Sequence, residues 1–171
     1  DEAYIEFVRD DDCAIGTDYL DGANPVAVLR TFSKAYGLAG LRIGYGIMPR
    51  EIRDLINRIR MPFNASTLAQ AAAAAAIGDT AFLEKTRRVI HEGLAYLFDA
   101  LASLGLTCFP TQSNFFLIDM KQDAGEVFEK MLRRGVIVRS MASYGFPEYI
   151  RVNVGLAAEN ERFITVLKEI L

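Results

Sequence analysis

Two textures alternate along the chain, and each predicts its own element. Residues 26–32 and 43–48 are short, nearly unbroken apolar runs, the pattern of strands covered on both faces. Pro49 stands where a helix can start, because its missing donor costs nothing there. Ile52, Leu55, Ile56 and Ile59 then fall at i, i+3, i+4 and i+7. That spacing makes one apolar helix face, expected to lie in the core. Pro62 breaks the helix, Ser66 or Thr67 caps the next, and the alanines at 71–76 read as helix and not as low complexity. Residues 78–80 end that helix and cap a long third one, reaching about Leu104. Its inward positions are Leu83, Ile90, Leu94, Leu97, Phe98 and Leu101.

Beyond Gly105 the apolar runs shorten. Residues 106–109, 115–120, 136–139 and 149–154 are β-like, and helical stretches at 124–134 and 159–171 punctuate them, which predicts a small α+β lobe. The polar residues 9–24 read as a surface connection with one short helix. The change of texture places a domain boundary at Thr80, giving parts 1–79 and 80–171, and the fold class is α/β.

Composition narrows the function classes. With 171 residues, 51% hydrophobic and 24% charged, the chain is globular and long enough for a sizeable core. A net charge of −3 with scattered basic residues gives no nucleic-acid footprint. Cys13 and Cys108 lie far apart with no Cys or His at ligand spacing, so free, packing thiols in a reducing compartment and no metal are expected. The longest apolar run, 71–77, is far short of the roughly 20 residues that cross a bilayer. No signal peptide opens the chain. It begins at Asp1 without a methionine and directly on what reads as a strand end, so a piece of a longer protein is expected.

The chemistry concentrates at residues 31–42, where Ser33, Lys34, Gly37, Gly40 and Arg42 join two apolar runs. A lysine at a strand end with apolar flanks and a cation eight residues on reads as a buried amine. Desolvation and like charge would disfavour its ammonium form and leave a nucleophile for carbonyls. Arg42 offers a planar fork of donors for a phosphate. A solvated Gly-rich turn is the other reading. A nucleotide cradle is a rival for the glycines, although the spacing matches neither a dinucleotide nor a Walker pattern. Asp1 and Tyr4 by themselves are ordinary surface residues, Glu2 has no assigned role, and His91 sits on a charged helix face where histidines are usually solvated.

Ser33-Lys34 followed by Gly37-Leu38-Ala39-Gly40-Leu41-Arg42-Ile43-Gly44 resembles the cofactor-lysine segment of fold-type I aminotransferases that use pyridoxal 5'-phosphate (PLP). More narrowly, it is similar to the histidinol-phosphate aminotransferase family. The resemblance covers nearly the whole chain, with its motifs in order. It implies the C-terminal part of the large PLP domain, a mainly parallel sheet with helices, followed by the small α+β domain. Lys34 is then the covalent tether of the cofactor, with Ser33 and Arg42 on its phosphate, Asp1 on the ring nitrogen and Tyr4 on the ring oxygen. Residues 149–155 match the segment whose arginine grips the substrate carboxylate, which assigns Arg151. Arg139 corresponds to the arginine for a distal phosphate, although Ser140 stands where relatives tend to have proline. Asn114 is a possible site-lining residue. The helix at 70–77 is expected near the cofactor and a dimer interface.

The implied activity is transamination of L-histidinol phosphate with 2-oxoglutarate in histidine biosynthesis, by a cytoplasmic homodimer. An aromatic aminotransferase, a threonine-phosphate-type decarboxylase and an inactive structural fragment are the alternatives, the last because the family's N-terminal portion is missing from this sequence.

Overall fold

The structure is a computed structural model that describes residues 1–22 and 24–171; Ala23, within the polar connection, lies outside the described residues. It divides into two compact units, Asp1–Arg87 and Arg88–Leu171.

In the first unit, β1 (Val28–Thr31) and β2 (Gly44–Ile47) form an antiparallel pair with Val28 opposite Ile47 and Thr31 opposite Gly44. Gly44 is required at that position, because a Cβ there would lie 2.7 Å from the Arg30 carbonyl oxygen. The strands are shorter than their apolar runs and are not covered on both faces, since Leu29 in β1 is about half exposed. The segment between them, which carries Lys34, folds back on itself through Leu38 N–H donating to the Phe32 carbonyl at 2.9 Å. A single 3-10 turn, Ile5–Phe7, precedes β1, and its Phe7 is only 2% exposed. Another, Gly16–Tyr19, is the short helix of the polar connection.

Helix α1 (Arg50–Ile59) follows Pro49 as expected. Its apolar face is not in the core: Leu55, Ile56 and Ile59 are exposed. Periodicity makes a face apolar, but it does not supply anything to lie against it. Phe63, in the break after α1, is 100% exposed and has a φ of 55°, a left-handed conformation uncommon for an aromatic residue. Ser66 caps α2 (Thr67–Gly78) by accepting the Ala69 N–H at 3.1 Å, and Asp79 receives the Phe82 N–H at 2.9 Å at the start of α3 (Thr80–Ser103). The division between the units falls inside α3.

The second unit is a four-stranded antiparallel sheet in the order β3 (Thr107–Cys108), β4 (Phe115–Asp119), β6 (Tyr149–Asn153), β5 (Arg139–Ser140). Alternation along β4 and β6 buries Phe116, Ile118, Ile150 and Val152 on one face. Against them stand Val127 and Met131 of α4 (Ala124–Leu132), Phe163 and Leu167 of α5 (Ala157–Ile170), and Leu97 and Leu101 of α3, all buried. Phe98 meets Phe116 edge to face, with ring centres 5.0 Å apart. Pairing of the run at 136–139 begins only at Arg139. Residues 136–138 leave the ladder, and Ile137 is exposed. All strand pairs among the described residues are antiparallel.

Candidate active site

Lys34 lies in a turn closed by the Gly37 N–H donating to its carbonyl at 3.0 Å. Phe32 and Ala35 take the inward positions and are buried, which leaves Lys34 exposed. The buried amine expected from the apolar flanks is therefore not found: the flanks bury themselves and turn the lysine between them outward. Its Nζ sits over the Tyr4 ring, 5.3 Å from the centroid, where the negative ring face attracts an ammonium. Two motifs that lie 30 residues apart in the chain thus meet. No hydrogen bond or ion pair engages Nζ among the described residues, and Ser33 follows a Thr31 hydroxyl that accepts the Ser33 N–H at 3.1 Å.

Asp1 and Arg42 are turned to their own neighbours. The Asp1 Oδ1 accepts the Ala3 N–H at 3.0 Å, and the Arg42 Nη1 donates to the Ala39 carbonyl at 2.7 Å. Arg42 has left-handed backbone angles, φ 53° and ψ 54°, a strained state for a residue with a Cβ and one that gathers at functional sites.

Glu2, given no role from sequence, ties this segment down. Its main-chain N–H donates to the Leu29 carbonyl at 2.8 Å, its Oε2 accepts from Arg30 Nε at 2.8 Å, and its Oε1 accepts the Gly16 N–H. Burial alone would raise the Glu2 carboxyl, but the Gly16 amide and the Arg30 guanidinium hold it below the usual carboxylate range. The signal was present in the sequence: Arg30 is a lone cation in an apolar strand, and such a residue is rarely buried without a partner.

In the second unit, Arg139 and Arg151 stand directly opposite each other across β5 and β6, a like-charge pairing that disfavours the bare sheet. Both line a cavity of about 750 Å³ together with Val138, Asn153, Glu159 and Arg162. The Arg151 guanidinium lies 5.0 Å from the Phe115 ring centre, and its Nε is buried with no partner among the described residues. Arg139 Nη2 donates to the Tyr144 hydroxyl at 3.0 Å. Asn114 has a buried Oδ1 without a partner, while its carbonyl accepts the Val154 N–H at 2.9 Å. Among the described residues no group of three or more His, Cys, Asp or Glu is placed to hold a metal ion, and no helix is long and apolar enough to cross a membrane.

The first unit carries an exposed primary amine over a tyrosine ring, and the second carries a pair of opposed arginines. The chain belongs to the aminotransferase class I and II family, whose model matches residues 1–167. Among curated relatives it is 47% identical, over all 171 residues, to histidinol-phosphate aminotransferase 2 of Pseudomonas aeruginosa and to histidinol-phosphate aminotransferase of Nitratidesulfovibrio vulgaris. It covers 46% of each, so the chain spans about half the length of the curated relatives it matches. A solved histidinol-phosphate aminotransferase from Sinorhizobium meliloti, in complex with pyridoxal-5'-phosphate, superimposes with a TM-score of 0.87 at 29% identity, over 99% of this chain and 48% of that one. L-threonine-O-3-phosphate decarboxylase from Porphyromonas gingivalis shares the fold, with a TM-score of 0.83 at 24% identity over 99% of this chain and 53% of its own.

Proposed function

We propose that this chain is part of a PLP-dependent enzyme that moves the amino group of L-histidinol phosphate to 2-oxoglutarate, giving imidazole-acetol phosphate and glutamate. The observation that carries the reading is the meeting of Lys34 with Tyr4, in a chain 47% identical to curated histidinol-phosphate aminotransferases. The residue types suit the group: an exposed amine for its aldehyde with the Ser33 hydroxyl next to it in the chain, a phenol at that amine for its ring, and Asp1 and Arg42, which would turn from Ala3 and Ala39 to take the ring nitrogen and the phosphate. When bound, PLP supplies an electron sink for the substrate Cα. Lys34 would hold the cofactor through its amine and would serve as the base that moves the proton at the substrate Cα. Ser33 and Arg42 would hold the phosphate, Asp1 would accept from the ring nitrogen and Tyr4 would donate to the ring oxygen. Arg151 grips the substrate α-carboxylate through its fork, and its unanswered Nε is the donor this role needs. Arg139, opposite it, takes the distal phosphate.

The exposed Leu55, Ile59, Met61, Phe63 and Leu68, all within residues 55–68, support the further reading that the parent protein works as a homodimer, since large exposed apolar patches mark association sites. The test is glutamate formation from 2-oxoglutarate by the parent enzyme supplied with L-histidinol phosphate. We expect it to be abolished by Lys34→Ala, with no release of carbon dioxide. Carbon dioxide without glutamate would give the decarboxylase reading instead.

A further inference from the structure

Arginines that leave water usually do so beside an acid. Arg151 is half-buried, and among the described residues no hydrogen bond or ion pair engages its side chain. The residue directly opposite it on β4 is the apolar Leu117. Asp119, which alternation puts on the same face of β4 as Leu117, has its Oδ1 accepting the Lys121 N–H at 2.9 Å. Glu159, on the cavity wall, has its Oε2 accepting the Leu156 N–H at 2.7 Å. Arg139 is held differently, through a donor spent on the Tyr144 hydroxyl. What stands against the Arg151 guanidinium is the Phe115 ring, whose centre is 5.0 Å away.

We propose that Phe115 is a positioning residue that holds the Arg151 guanidinium by its ring face and so keeps the whole fork free for a ligand carboxylate. The ring face carries negative charge density and attracts a cation without accepting its N–H groups in hydrogen bonds. An acid in the same place would hold the guanidinium too, but it would take up part of the fork. Asn153 is opposite Phe115 in the ladder and shares the Arg151 face of β6, so ring and guanidinium meet along one diagonal of the β4–β6 pair. Phe115 is itself fixed where β4 begins. The Ser113 hydroxyl accepts the Phe115 N–H at 3.3 Å and donates to the Phe115 carbonyl at 2.9 Å, and Thr111 Oγ1 lies 2.9 Å from that hydroxyl. A guanidinium pinned in this way has given up its freedom before a ligand arrives, so less is lost on binding. That the carboxylate is the substrate's rests on the role of Arg151 proposed above; the ring's hold on the guanidinium does not.

The experiment is calorimetric binding of glutarate, a dicarboxylate with no amino or keto group, to the parent enzyme, together with KM for 2-oxoglutarate and kcat. Phe115→Leu should weaken glutarate binding and raise KM by about three- to tenfold, with kcat changed by less than about twofold. Phe115→Tyr, which keeps the ring, should restore both, and Arg151→Gln should weaken glutarate more than either. Glutarate held as tightly by Phe115→Leu as by the unmodified enzyme, while Arg151→Gln is weakened, overturns the role of the ring alone. So does a Phe115→Tyr enzyme no better than Phe115→Leu. Glutarate binding undiminished in Arg151→Gln overturns the carboxylate role of Arg151 and this proposal with it. Phe115→Met, apolar and without a ring, gives the same reading where Phe115→Leu does not fold.

Discussion

Glu2 and Asn160 show how single polar side chains hold this structure, and both can be tested alone. Glu2 joins the leading segment to β1 by an ion pair and to Gly16 by an amide. Glu2→Ala leaves Arg30 half-buried without its acid, and should destabilise the first unit by roughly 1–3 kcal/mol in urea titration. The Glu2 carboxyl is held low, so its contribution is present above the usual carboxylate range and is lost as pH falls through the lowered value. Glu6 has the opposite sign: burial raises its carboxyl, so stability is intact in acid and is lost as pH rises through the raised value. The first unit should be most stable between the two. Glu2→Gln should remove only the acid limb of a plot of unfolding midpoint against pH. Asn160, 4% exposed, accepts the Gly155 N–H at 2.9 Å and donates to the Gly155 carbonyl at 3.1 Å. Asn160→Ala breaks both bonds at once and should cost the second unit about 1–3 kcal/mol.

Elements were more legible in the sequence than their surroundings. The helices came from period and capping residues: Ser66 accepts where a cap was expected, and Pro62 ends α1. The exposed face of α1 was not legible, because an i, i+3, i+4, i+7 stripe records apolarity and not what covers it. The buried Lys34 failed for a related reason, since flanking apolar residues give composition, and only the backbone decides which side chain turns in. Arg30, a lone cation in an apolar strand, signalled the need for an acid, but that the acid is Glu2, 28 residues away, no local pattern reveals. Gly93 in α3 is an element-scale test. Alanine is the better helix former by about 1 kcal/mol, but a Cβ there would meet Val154 Cγ1 and lie 2.9 Å from the Asn160 Nδ2. Gly93→Ala should therefore lower the thermal midpoint instead of raising it. The opposed Arg139 and Arg151 of β5 and β6 give a second. Arg139→Thr should relieve like-charge strain of roughly 0.2–1 kcal/mol, while reducing the stabilisation that added inorganic phosphate gives the unmodified chain.

At the scale of the whole molecule, the chain supplies two units with one set of chemical groups in each: the amine, hydroxyl, acid and phenol in the first, and the paired arginines in the second. Motif order along the sequence had assigned Lys34 and Tyr4 to one part of the chain and Arg139 and Arg151 to the other, and the structure puts them in separate units. The central claim is that Lys34 is the residue that takes the cofactor aldehyde. Its most direct test is to incubate the purified chain with PLP, reduce with borohydride, digest and map the modified lysines by mass. The adduct should fall on Lys34 in clear excess over Lys85, Lys121, Lys130 and Lys168, and disappear in Lys34→Ala. Equal labelling of all the lysines, or an adduct that survives Lys34→Ala undiminished, would contradict the account.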